Sequence, residues 1–340
     1  MPHTNRQILL AGRPDGAPTA AHFSLVEAAV PQPGPGQVLV RHLWLSLDPY
    51  MRGRMSAARS YAKPVEIGGV MVGGTVGRVE SSNAEGFAPG DLVLGYGGWQ
   101  DYSVARPAEL RRLDPSVAPP ATALGILGMP GMTAYTGLLE IGKPKAGETV
   151  VVAAATGPVG SLVGQIAKLK GCRAVGIAGG ADKCRALVDE FGFDAAVDHR
   201  ADDFPARLTA ACPNGIDVYF ENVGGRVWDA VAPLFNDFAR IPVCGLVSLY
   251  NATTLPEGPD RTPQLMRAVL TRRLTIRGFI VWDFAALESD FLRDVAGWMR
   301  DGAVHYREDI AEGLENAPDR FIGMLEGRNF GKALVRMAPE

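Results

Sequence analysis

Small residues at positions 155, 157 and 160 form the arrangement in this chain best suited to holding a charged ligand. They lie in Thr149-Val-Val-Val-Ala-Ala-Ala-Thr-Gly-Pro-Val-Gly160, an apolar run that ends in a turn and passes directly into a helical pattern. Ala155 takes the first glycine slot of the dinucleotide fingerprint, Gly157 the second and Gly160 the third. Gly157 lets the backbone approach a pyrophosphate. Gly160 lets the helix pack tightly on its strand, and the exposed N–H groups at the helix start hold the anion. A bare glycine pattern is weak. Here a strand precedes it, a helix follows, and a second strand is expected over Ala174–Ala178.

The end of that second strand selects the nucleotide. An acidic residue about 20 positions after the fingerprint binds a ribose 2′-hydroxyl. Here the strand runs into Ala178-Gly179-Gly180-Ala181-Asp182-Lys183, with no carboxylate at its end. The glycines, Gly180 among them, leave room for a 2′-phosphate, and Lys183 near the next helix start can pair with it. NADP(H) is therefore expected. The alternative is a solvated Lys183 on a helix face. Asp182 argues mildly for NAD(H), although it can instead serve as a helix N-cap.

A metal is not expected. Zinc needs three or four Cys, His or carboxylate ligands in a fixed geometry. The histidines, at 3, 22, 42, 199 and 305, are remote in sequence from the cysteines at 172, 184, 212 and 244, and no Cys precedes residue 172. The cysteines lack CxxC spacing and read as reduced thiols of a cytoplasmic protein. Cys244 falls on an expected core strand, as a packed thiol. A net charge of −3 without a basic run argues against a nucleic-acid partner, and no apolar stretch or leader-like segment points to a membrane.

The elements that must position these residues divide the chain in character. Up to about residue 125, Pro and Gly are dense and short apolar runs lie between them, at Gln37–Leu45, Gly69–Val79, Leu92–Gly95 and Gln100–Ala105. These read as short strands of an irregular β-barrel or sandwich. After residue 145, strands alternate with helices. Strands are expected at Thr149–Ala155, Ala174–Ala178, Ala195–Asp198, Ile216–Asn222, Arg240–Cys244 and Leu274–Trp282. Helices are expected at Val159–Lys170, Asp182–Phe191, Phe204–Ala211, Val227–Asn236, Pro263–Arg272 and Phe284–Asp301. This is a doubly wound α/β unit with a parallel sheet. A helix at Ala317–Glu326 and a strand at Lys332–Val335 form a tail that returns to the first domain. The expected domains are 1–126, 127–301 and 302–340.

Several segments resemble the zinc-independent leukotriene B4 dehydrogenase/prostaglandin reductase branch of the medium-chain dehydrogenases/reductases. They are Leu47-Asp-Pro-Tyr-Met-Arg-Gly-Arg-Met55, Gly128-Met-Pro-Gly-Met-Thr-Ala134, Ala154-Ala-Thr-Gly-Pro-Val-Gly160, Glu221-Asn-Val-Gly-Gly225 and Asn329-Phe-Gly-Lys332. Ile67–Gly77, Tyr250-Asn-Ala-Thr253 and His305-Tyr-Arg-Glu308 are similar to bacterial curcumin reductases within that branch. The resemblance spans essentially the whole chain. It implies a GroES-like β-barrel joined to a Rossmann domain, and reduction by NADPH of a carbon–carbon double bond conjugated to a carbonyl. It also sets the zinc-ligand positions of the alcohol dehydrogenases in Ser46-Leu47-Asp48 and at Gly69, where no Cys or His stands.

By the same resemblance Gly157, Pro158, Val159 and Gly160 hold the pyrophosphate, and Lys183 the 2′-phosphate. His199 replaces a tyrosine of the branch and can donate to a phosphate. Asn222, Met129, Thr133 and the segment Cys244, Gly245, Ser248 and Tyr250 border the nicotinamide, and Asn329 reaches the cofactor; Phe279 is expected at the cofactor too, with plain core as the alternative. For Asn222 and Asn329 a turn or cap role is the alternative. Hydride delivery to an enone places negative charge on the carbonyl oxygen, so a preorganised neutral donor is required. Tyr250, which follows the fifth strand on the ligand side of the sheet, is the expected donor. Tyr50 and Tyr61 would line the substrate pocket, and Met129, Met132, Phe279 and Trp282 could supply apolar walls. A quinone oxidoreductase on the same scaffold and an NADPH-binding sensor without chemistry are the competing readings. The last apolar strand, at the sheet edge, is expected to pair two copies into a homodimer.

Overall fold

The computed structural model describes residues 4–254 and 256–339. The chain divides into two compact units, residues 1–125 with 308–340, and residues 126–307.

The first unit is a β-structure. Strand β1 (Thr4–Leu10) pairs antiparallel with β2 (Phe23–Ala29). Strand β3 (Val38–Ser46) is the hub of a larger sheet, hydrogen-bonded to β4 (Thr75–Ser82) and β6 (Tyr102–Ala105); β5 (Leu92–Gly95) and β7 (Arg111–Arg112) extend it beyond β4. Helix α1 (Tyr50–Arg54) follows β3. Helix α9 (Ala317–Leu325) and the strands β14 (Glu308–Glu312) and β15 (Lys332–Arg336) come from the C-terminal return, and β15 pairs antiparallel with β3. One core joins both segments: Leu45, Leu47, Met51 and Trp99 pack with Phe321 and Val335. Phe23 stacks on Trp99 at 5.6 Å, and Phe321 meets Trp99 edge-on at 5.7 Å.

A buried ion pair ties the return to the turn after β3. Lys332 Nζ donates to Asp48 Oδ1 at 2.9 Å and to the Leu47 carbonyl at 2.6 Å, while Ser46 Oγ donates to Asp48 Oδ2 at 2.5 Å. Both charged side chains are under a tenth exposed. Attraction and multiple hydrogen bonds offset the desolvation cost only while both partners are present.

The second unit is the expected doubly wound sheet. Its six strands are β8 (Thr149–Ala153), β9 (Arg173–Ala178), β10 (Ala195–Asp198), β11 (Ile216–Phe220), β12 (Phe235–Val243) and β13 (Thr275–Gly278). They lie parallel in the order β10-β9-β8-β11-β12-β13. The order reverses between β8 and β11, and the crevice at the carboxyl ends of those strands is where such sheets bind ligands. Helices α2 (Met129–Thr136), α3 (Pro158–Leu169), α4 (Ala181–Asp189), α5 (Phe204–Ala211), α6 (Gly225–Val231), α7 (Thr262–Arg272) and α8 (Glu288–Arg300) complete the unit.

Several boundaries differ from the sequence reading. The run 69–79 contributes a strand only from Thr75, and the run 100–105 only from Tyr102. The helix expected to reach Asn236 ends at Val231; Pro233 lies in a single 3-10 turn, and β12 begins at Phe235. The strand expected over 274–282 is only Thr275–Gly278, because Asp283 caps the Ile280 N–H and opens a 3-10 turn at Val281. Trp282 therefore lies outside the sheet and is 54% exposed. Cys244 likewise falls just beyond β12, not within it. Among the described residues, no helix is long and apolar enough to cross a membrane.

Replacing Asp48 with Ala strands the Lys332 ammonium in the core. Urea titration should show a loss of about 3–5 kcal/mol, and the double change Asp48→Ala/Lys332→Met should recover part of it. A single variant as stable as the wild type would remove the pair from the account of the first unit.

Candidate functional site

The strand-to-helix turn after β8 has the shape that the glycine spacing demands. A Cβ on Gly160 would lie 2.5 Å from the Ala154 carbonyl oxygen and 2.6 Å from Ala155 Cα. Helix α3 can approach the strand this closely only with glycine there. A Cβ on Gly157 would meet nothing nearer than the Ala154 oxygen at 3.4 Å, so the other side of that residue is open. The Gly157 N–H bonds the Ala154 carbonyl at 3.1 Å, which makes its contribution to an anion site space more than a donor. The left-handed residue of the turn is Ala154, at φ 51°, one position before the first glycine slot. Pro158 and Val159 open α3 above the turn.

Across the switch point, Asn222 Nδ2 donates to the Ala153 carbonyl at 2.8 Å and joins the carboxyl ends of β8 and β11. Beneath it Glu221 is buried. Its Oε1 accepts the Val223 N–H at 2.6 Å, the Gly224 N–H at 2.9 Å and the Tyr219 hydroxyl at 3.1 Å. Burial pushes the Glu221 carboxyl up, against the pull of those donors. Ser248 Oγ donates to the Val223 carbonyl at 2.5 Å, and the backbone N–H groups of Cys244 and Gly245 both bond the Glu221 carbonyl. Burial and the nearby Glu221 push the Cys244 thiol up to about 12, so it is a neutral group. The Tyr250 hydroxyl lies over this loop: a Cβ on Gly245 would be 3.1 Å from it. Asn222, Cys244, Gly245, Ser248 and Tyr250 are thus gathered at the carboxyl ends of β11 and β12. Sequence reading quoted Glu221 in a motif but gave it no role; a carboxyl followed by Asn-Val-Gly-Gly is the signal for a side chain that organises such a turn.

Elsewhere in the second unit, Thr133, buried midway along α2, donates its Oγ1 hydrogen to the Met129 carbonyl at 2.8 Å. Met132 is core. Phe279 is mostly buried, edge-on to Phe220 and Phe284.

Beyond β9 the loop Gly179–Gly180 faces a basic group. A Cβ on Gly179 would lie 2.9 Å from Arg200 Nε and 3.0 Å from His199 Nε2. Gly180, at φ 99°, is the N-cap of α4. Asp182 is therefore not the cap; it sits in the first turn, exposed and paired with Arg185. Asp198 Oδ1 accepts the N–H groups of both Gly180 and Arg200 at 2.9 Å, and those bonds outweigh burial to hold its carboxyl below the usual range. The His199 imidazole is lowered by burial first, then by the charges of Arg200, Arg226 and Lys183, with Asp198 opposing. Arg200 and Arg226 were not singled out in the sequence, since neither lies near the fingerprint.

In the first unit, the Arg54 guanidinium lies 5.6 Å from the Tyr50 ring centre and 5.0 Å from that of Tyr61. Burial, then Asp48 and Tyr96, pushes the Tyr50 hydroxyl far up, so it stays protonated. Tyr61 and Tyr96 are exposed. Asn329 makes a local turn, donating to the Gly331 carbonyl at 2.9 Å. Among the described residues no group of three or more His, Cys, Asp or Glu could hold a metal ion.

The family model described as the N-terminal domain of oxidoreductase matches residues 6–113, and the one described as zinc-binding dehydrogenase matches residues 158–296. The chain belongs to the medium-chain dehydrogenase/reductase family, in its zinc-independent branch. Within it, the chain is 59% identical to the NADPH-dependent curcumin reductase of Escherichia coli over 98% of this chain and 97% of that protein. It is 40% identical to prostaglandin reductase 1 of Bos taurus, over 94% and 95% respectively. The crystal structure of CurA in complex with NADPH from Vibrio vulnificus superposes with a TM-score of 0.96 at 56% identity, covering 98% of this chain and all of that one.

Adding a Cβ at the two glycines should separate their roles. Gly160→Ala should cost about 1–3 kcal/mol in urea unfolding through overpacking, whereas Gly157→Ala should stay within about 0.5 kcal/mol. Equal losses would contradict the packing role assigned to Gly160.

Proposed function

We propose that the protein reduces the carbon–carbon double bond of α,β-unsaturated ketones and aldehydes with NADPH. The observation that carries this reading is the placing of Tyr250 Oη over Gly245 at the carboxyl end of β12, beside the Asn222 turn. The whole-length similarity to an NADPH-dependent curcumin reductase and to a prostaglandin reductase supports it.

The turn after β8 fits a dinucleotide: Gly160 fills the close approach to the strand, Gly157 leaves open space, and Lys183, His199 and Arg200 supply positive or proton-accepting groups beyond β9. Bound NADPH supplies the hydride. The chain's own residues do the rest. Gly157, Pro158, Val159 and Gly160 hold the pyrophosphate, and Lys183 pairs with the 2′-phosphate. Asn222, Thr133 and the Cys244–Ser248 turn fix the ring that carries the hydride. The Tyr250 hydroxyl stabilises the enolate oxygen that develops at the substrate carbonyl and is the proton source for its quenching. Beneath the turn the Cys244 thiol is neutral, and burial pushes the Glu221 carboxyl up. In the first unit Arg54 holds Tyr50 and Tyr61 together, as aromatic groups suited to a substrate.

We further propose a cytoplasmic homodimer. The four cysteines are free thiols. The edge strand β13 is exposed along its length, and a twofold axis there would join two sheets into one.

Tyr250→Phe should lower kcat/KM for an unstrained enone such as 3-nonen-2-one about tenfold or more, with the NADPH dissociation constant held within about twofold. Unchanged kinetics would remove Tyr250 from the reaction. Turnover of a benzoquinone well above that of the enone would favour the quinone reductase reading. Light scattering should give twice the chain mass of 36.1 kDa; a monomer at micromolar concentration would contradict the β13 pairing.

A further inference from the structure

We propose that Arg200 and His199 determine cofactor choice, and that His199 takes up one proton from solvent as a 2′-phosphate docks at Gly179–Gly180. This rests on the NADPH reading above and goes beyond the assignment of Lys183 alone.

The loop after β9 is bare of side chains, and basic groups from three elements lie beside it or act on His199 there. Arg200 Nε and His199 Nε2 come from the turn after β10, and each lies within about 3 Å of where a Gly179 Cβ would stand. Lys183 comes from the first turn of α4 and Arg226 from the first turn of α6. The Arg226 guanidinium is anchored on the Ala201 carbonyl at 2.9 Å, which aims it at the His199 turn. Both Arg226 and Lys183 act electrostatically on His199.

The acidic groups nearby are already engaged. Asp198 gives one oxygen to the N–H groups of Gly180 and Arg200, and so holds the two halves of the cradle in register. Asp182 is paired with Arg185 on the outside of α4. The Cys184 thiol of α4 is pushed up by burial and is neutral. Three fixed positive charges around one carboxylate leave an excess that a phosphate dianion neutralises.

The proton follows from the sign of the electrostatics. Without an anion, half-burial and three neighbouring cations hold His199 neutral below its ordinary range. A dianion placed among the same groups cancels their repulsion and favours imidazolium. The complexed form therefore binds more protons than the free form around neutral pH. By linkage, affinity for the phosphorylated cofactor is strongest at low pH and falls as pH rises through the His199 value in the complex. NADH, which has no 2′-phosphate, shows neither effect.

The test is isothermal titration of the full chain with NADPH and with NADH, at pH 7.5, in buffers of different ionisation enthalpy. NADPH should bind with a net proton uptake, and NADH with none. His199→Gln should abolish the uptake, and Arg200→Ala, an exposed position, should weaken NADPH about tenfold or more while moving NADH less than about threefold. Uptake that persists in His199→Gln would put the proton on the phosphate or another group and overturn the proposal. So would equal losses for both cofactors in Arg200→Ala. If the wild type prefers NADPH with no uptake, this inference falls and the cofactor reading stands; if it prefers NADH, the cofactor reading itself falls.

Discussion

The missing side chain at residue 160 is the constraint from which the second unit follows. Because nothing projects there, α3 starts against the backbone of Ala154 and Ala155 and not a helix radius further out. The start of α3 is thereby fixed over the end of β8, at the point where strand order reverses. Everything on the rim then has a reference. Asn222 can reach the Ala153 carbonyl, the Glu221 carboxyl can gather the Val223–Gly224 turn, and that turn in turn seats Ser248 and the loop bearing Tyr250. These are short, directional contacts that tie the carboxyl ends of β8 and β11 to the loop after β12.

Polar groups on this rim are governed by backbone hydrogen bonds and by burial. At the cofactor end the Asp198 carboxylate is spent on two backbone donors. The thiol and the carboxyl below the Tyr250 loop are both pushed toward their uncharged forms by burial. A hydroxyl donor works best in such surroundings, since a developing oxyanion then finds a fixed dipole and little competing charge. The first unit solves a different problem with the same means. Its C-terminal return is secured by a buried ammonium that satisfies two acceptors at once.

The architecture of the second unit was legible because continuous apolar strands alternated with amphipathic helices, and β10 and α5 fell where the pattern put them. Strands β1, β2 and β14 were not legible. Thr4-Asn-Arg-Gln mixes polar and charged residues, and Glu308–Glu312 has no apolar face of its own; both are strands only because a partner strand supplies the pairing. The short β13 was overread since apolar residues continue past Gly278 into a 3-10 turn that Asp283 caps. At the site, the glycine spacing announced the turn after β8, but Arg200, Arg226 and Glu221 have no local signature. Their roles arise from three separate loops meeting at the carboxyl edge of the sheet. Asp182 misled as an N-cap because Gly180 takes that position with a positive φ, leaving the carboxylate to Arg185.

The chemistry stands on where the hydride is delivered. With NADPH carrying deuterium at the transferring position and an unstrained enone as substrate, the product should contain one deuterium at the carbon β to an intact carbonyl, read by NMR. Deuterium at a carbinol carbon, or cofactor oxidation without label in the product, would contradict the account.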